Sequence, residues 1–137
     1  MATFRFLAIL GVASLCIGSA FTAEALQGGS RARAQQMVLQ AQVQHERLLA
    51  RVPRLAEIDA VVRADCASRN RGMASDSPFC RCASAVTTML WRSGADPQMV
   101  PRLVEFANGR GAATAEDFLA YQGPELYRGI CRIATSG

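Results

Sequence analysis

Two cysteines stand one residue apart, at Cys80 and Cys82, inside a stretch that reads as a helix. That spacing constrains the fold more than any other feature of the chain. At about 100° per residue the two side chains leave the helix roughly 200° apart. They cannot easily bond each other, nor reach one shared neighbour, so each needs a partner on a different element. The partners on offer are Cys66 upstream and Cys131 near the C-terminus. The helix that carries Cys80 and Cys82 is therefore expected to be stapled to the helix before it and to the last one. Both connectivities satisfy this geometry. Cys66–Cys80 with Cys82–Cys131 is favoured because Cys80 lies at the start of its helix, nearer the 69–77 loop. Either pairing of Cys66 closes a loop of about 15 residues, worth roughly 3 kcal/mol in the chain-entropy view of cross-links. Redox sites more often use Cys-x-x-Cys, and a zinc site needs two close pairs or added histidines. The four cysteines thus read as structural disulfides, with no metal and no cofactor expected.

Disulfides call for an oxidising compartment, and the N-terminus supplies the route to one. Residues 1–25 read as an export signal: Arg5 gives a short positive start, no residue from Phe6 to Ala23 is charged, and Ala23-Glu24-Ala25 fits an A-x-A cleavage site. The competing reading retains residues 6–23 as a membrane anchor, at the short edge of what spans a bilayer. Cleavage after Ala25 removes Arg5, Cys16 and Glu24. It leaves fourteen arginines, ten acids and an even set of four cysteines, still at a net charge of +4. Every basic residue is arginine and none is lysine, which suits a bacterial gene of high GC content. The expected location is the periplasm or beyond it, with inner-membrane anchoring as the alternative.

Residues 26–137 read as one all-α domain, a small bundle of about five to six helices. Half the residues are hydrophobic and about a fifth are charged, which excludes a disordered chain. A Gln-rich first helix is expected over about 31–51, after a flexible Gln27-Gly28-Gly29 lead-in and a Ser30 cap. Ala34, Val38, Ala41, His45, Leu48 and Val52 recur at 4, 3, 4, 3, 4, a heptad-like seam. Pro53 opens a second helix carrying Leu55, Ile58, Val62 and Cys66. Ser77-Pro78 is a cap followed by proline at the first helical position, and Gly94 is the natural stop of that third helix. Asp96-Pro97 starts a fourth, and Thr114 with Glu116 and Asp117 caps a short helix through Tyr121. Gly123-Pro124 separates it from a last helix with Leu126, Tyr127, Ile130 and Cys131. No segment alternates as a half-buried strand does.

Catalytic signals are weak. There is no G-x-S-x-G elbow and no H-E-x-x-H pair. Glu57 and Asp59 point about 200° apart on their helix, while Glu116 and Asp117 serve a cap and the helix dipole. His45 reads as a packed residue at the core edge. Gly109-Arg110-Gly111 looks like a helix terminator. Arg69, Arg71, Arg81 and Arg92 flank the cysteine region and invite an acidic partner, whereas nucleic acid is disfavoured by export and modest charge density. The expectation is a non-enzymatic binding or accessory protein that engages another envelope or secreted protein. Its contact residues would be Val38, Ala41, His45 and Leu48 on the first-helix seam, with Arg69, Arg71 and Arg81 beside it. The alternatives are an anchored accessory subunit of an inner-membrane complex, or a cell-wall-acting enzyme working through Glu57 or Glu125.

Overall fold

A computed structural model describes residues 18–121 and 124–136. Among them the chain is all helical: α1 (Gly18–Arg51), α2 (Leu55–Arg69), α3 (Pro78–Arg92), α4 (Met99–Ala107), a 3-10 helix (Glu116–Tyr121) and α5 (Pro124–Thr135). The punctuation in the sequence sets most of these boundaries. The Ser77 side chain accepts from the Cys80 backbone N–H at 3.2 Å, with Pro78 behind it in the first turn. Gly94 ends α3 with φ +81°, a conformation that costs a side-chain-bearing residue about 1–2 kcal/mol. The Asp117 carboxylate accepts from the Thr114 N–H at 2.7 Å, one arm of a capping box. Pro101 falls within the first turn of α4, where a missing N–H is tolerated.

The first helix departs from expectation. α1 spans 34 residues and runs unbroken through Gly28 and Gly29, so Gln27-Gly28-Gly29 is not a lead-in and Ser30 is not its cap. Glycine in a helix costs up to about 1 kcal/mol against alanine but clashes with nothing, and no proline interrupts this segment. At 1.5 Å per residue α1 is about 50 Å long. Residues 29–33 are exposed, Ala34 is partly buried and Val38 is buried. The expected export segment falls outside the described residues over 1–17. The expected cleavage position lies within α1, and cutting after Ala25 would leave residues 26–51 of that helix. Among the described residues no helix is long and apolar enough to cross a membrane.

α3 is the central element. It packs against α1, α2, α4 and α5, and from Cys82 to Thr88 every residue is buried. The run Ala83-Ser84-Ala85 is small enough for three neighbouring helices to approach closely. A helix buried all round carries apolar or small residues on every face, as this one does. Cys66–Cys80 and Cys82–Cys131 bridge it to α2 and to α5, with Cα separations of 5.6 and 5.7 Å. These are the two staples that the 200° argument requires, in the favoured connectivity.

The core has two apolar parts. One gathers Val38, Phe79, Val86 and Tyr127 around both disulfides. The other, without cysteines, gathers Leu55, Ile58, Val62, Trp91, Met99, Leu103, Phe106 and Phe118. Phe118 meets the rings of Trp91 and Phe106 at 5.8 and 5.4 Å. On α1 His45 lies between Val38 of the first part and Leu48 at the second. On α3 Thr87 and Thr88 lie between Val86 and Trp91. A buried polar layer therefore separates the two parts.

Candidate functional site

The polar layer is built from three helices. α1 brings His45, α2 brings Asp59 and Arg63, and α3 brings Ser84; His45, Asp59 and Ser84 are 8%, 7% and 1% exposed. Asp59 Oδ1 accepts from Ser84 Oγ at 2.5 Å and lies 2.8 Å from His45 Nε2. Arg63, one turn along α2, places Nε 2.9 Å from Asp59 Oδ2. Burial pushes the Asp59 carboxyl up. The hydrogen bonds from His45 and Ser84 and the positive charges of His45 and Arg63 outweigh that and hold it below its usual range. A buried carboxylate with two donors and a guanidinium is a satisfied one.

The three residue types are those of a hydrolytic triad, but the connectivity is not. In a triad the imidazole stands between the hydroxyl and the carboxylate. Here the carboxylate stands between the other two, and Ser84 Oγ lies 3.5 Å from His45 Nε2. With its hydroxyl proton committed to Asp59, Ser84 is a buried donor and not an activated nucleophile. The layer holds helices in register.

Two polar atoms in it lack a hydrogen bond: Arg63 Nε, which keeps only its ion pair with Asp59, and a ring nitrogen of His45. His45 Nδ1 is buried and has no hydrogen-bond partner. The same ring lines two neighbouring open cavities of about 250 and 170 Å³. The larger is bordered by Ala41, Gln44, Met89, Arg92 and Ser93. The smaller is apolar, walled by residues including Leu48, Ile58, Leu103 and Val104. His45 and Arg92 border both, and no acidic side chain lines either. Together they form a cleft that involves α1, α3 and α4 and has α2 residues in its apolar wall.

The sequence-predicted contact residues fare unevenly. Val38, Ala41 and His45 are buried and Leu48 is partly buried, because the seam packs inside this chain's own bundle, where α1 meets α3 and α5. That corrects the expectation that the seam is free to pair with a partner helix: its face is covered within the chain. Opposite the seam, Leu39 and Val43 are 61% and 45% exposed, one turn apart. Arg69, Arg71 and Arg81 are exposed around the Cys66–Cys80 bridge, and Arg69 is tied to Asp65 at 2.7 Å. Glu57 is exposed and Asp59 buried, as their angular separation requires. The Glu125 side chain lies outside the described residues.

Asp59 as a buried anchor, Ser84 as its donor, and Arg92 and Val104 as cleft residues do not show in the sequence pattern. Period gave no hint of Asp59, which sits beside apolar Ile58. The clearest available signal for Ser84 was its place in a run of small residues. Among the described residues no group of three or more His, Cys, Asp or Glu side chains is placed to hold a metal ion. Compared with protein-family models, curated proteins and solved structures, the chain matches none. Two buried disulfides and no membrane-crossing helix among the described residues are compatible with an extracellular, non-membrane setting.

Proposed function

We propose that this chain is an exported, disulfide-stapled helical protein of the bacterial envelope that works by binding another envelope or secreted protein, without catalysis of its own. The observation that carries the reading is the polar layer, in which the Ser84 hydroxyl is committed to Asp59 and not to the His45 ring. Ser84, His45 and Asp59 bear the groups of a hydrolase, yet they are buried and spend their hydrogen bonds on one another. The surface left for a partner is the outward face of α1, where Leu39 and Val43 stand exposed among Gln36, Gln40 and Arg47. A long helix with an apolar pair on its outer face suits helix-to-helix or helix-in-groove contact.

The test is site-specific photocrosslinking in intact cells. A crosslinker at Val43 is expected to give one discrete adduct with an envelope or secreted protein. The same group at Glu57, and Val43 crosslinking in a Leu39→Glu background, should not give it. Equal labelling at both positions, or no adduct above background, would refute the reading.

A further inference from the structure

The cleft beside His45 is separate from the outer face of α1 and is chemically more selective. Its apolar part measures about 170 Å³, slightly more than the roughly 150 Å³ of an apolar protein cavity that holds benzene. It therefore has room for about six to eight carbons. Val104 and Val100, at 52% and 39% exposed, line it as large apolar side chains left open to solvent. The adjoining part is polar, bordered by Gln44, Ser93 and Arg92. Arg92 has no ion-pair partner among the described residues, and with no acid lining the cleft its charge favours an anion. Together the two parts fall in the size range of small-molecule sites.

His45 narrows the chemistry. Its Nε2 edge is given to Asp59, and its buried Nδ1 has no partner in the chain. As the neutral ring with the proton on Nε2, Nδ1 accepts a hydrogen bond from a protonated acid. As the charged ring, it donates one to the ionised acid. A carboxylic acid matches the ring in both forms.

We infer that the cleft is a binding site for a medium-chain carboxylate, its head group between Arg92 and His45 and its hydrocarbon chain in the apolar cavity along Leu103 and Val104. The site uses different residues from the proposed protein contact, so either can fail without the other.

Calorimetric titration of the oxidised full-length domain with octanoate tests this, with butyrate and octanol as comparison ligands. Octanoate should bind at one site per chain. Butyrate, lacking the chain, and octanol, lacking the charge, should each bind at least about tenfold more weakly. Arg92→Gln should weaken octanoate by about tenfold or more and leave octanol unchanged. Val104→Asp should weaken both, and because both positions are exposed the variants keep the parent urea midpoint. No saturable octanoate binding, binding of butyrate as tight as octanoate, or an Arg92→Gln variant with parental affinity would each overturn the inference.

Discussion

Replacing Asp59 by alanine removes the one acceptor that two buried donors share. Ser84, 1% exposed, has as its nearest other group His45 Nε2 at 3.5 Å, which itself faces Asp59. His45 Nε2 likewise loses its partner, with Nδ1 already unpaired. Each buried donor left without an acceptor costs about 1–3 kcal/mol. The Arg63 side chain is 29% exposed and can turn to water, so its share is small. Two such donors give about 2–6 kcal/mol, which brackets the roughly 3–5 kcal/mol usually lost when one side of a buried pair is removed. Against a typical domain stability of about 5–15 kcal/mol, that is a large fraction. The assay is urea unfolding at pH 7 with disulfides intact, followed by helical circular dichroism. Asp65→Ala is the control, since it breaks a partly exposed pair with Arg69 and should cost no more than about 1 kcal/mol.

The same carboxylate gives a pH arm. The Asp59 pKa is lowered in the fold, because its bonds and charges outweigh the desolvation that would raise it. The ionised form therefore stabilises the native state at every pH above the unfolded value of about 3.9. That contribution is lost as pH falls from about 4 through the lower native value. The stability gap between the parent chain and Asp59→Asn should be widest near neutrality and narrow below about pH 4. An Asp59→Ala cost under about 1 kcal/mol at pH 7, or a gap to Asp59→Asn that does not narrow in acid, would show that Asp59 does not anchor these donors.

Three further outcomes follow from other parts of the fold. Tyr127 is 1% exposed and its hydroxyl is buried without a partner, so Tyr127→Phe should raise stability by up to about 1 kcal/mol; a loss of that size by thermal unfolding would contradict the packing. Gly109 has φ +68°, and a Cβ there would meet Arg54 Nη1 at 2.6 Å, where the guanidinium lies 4.9 Å over the Phe106 ring. Gly109→Ala should cost about 1–2 kcal/mol in urea unfolding, chiefly from the left-handed backbone. Removing Cys82–Cys131, whose cysteines are 49 residues apart, should cost about 4 kcal/mol against about 3 for Cys66–Cys80, 14 apart. The reverse order under matched non-reducing conditions would show that loop closure is not what these bridges supply.

Helix ends and cross-links were legible in the sequence because each rests on local chemistry. Ser77-Pro78, Gly94 and the Thr114–Asp117 cap act over three or four residues, and the staple follows from the angle between Cys80 and Cys82. The polar layer was not legible, because Asp59 meets partners fourteen residues before it and twenty-five after it. Within α2 alone it is an acid beside Glu57, and only the packing of α1 and α3 decides that one is buried and the other exposed. The seam on α1 is legible as a covered face, and its cover is α3 and α5 of the same chain. A heptad-like stripe states that a helix face will be covered, and is silent on whether the cover comes from the same chain. The all-round burial of α3 escaped for a related reason: alanine and serine carry little hydrophobic signal while allowing the closest helix approach.

Cys66–Cys80 and Cys82–Cys131 staple α3 on both flanks, and bridges of this kind form in an oxidising compartment. Exposed Arg81, between the two cysteines, makes that directly measurable. Native protein from fractionated cells is weighed intact, then digested with trypsin without reduction. The expected result is an intact mass beginning at Leu26, with no free thiol. The digest should give peptide 64–69 joined to 72–81, and 82–92 joined to 129–132. Free cysteines, or 64–69 joined to 82–92, would contradict these bridges.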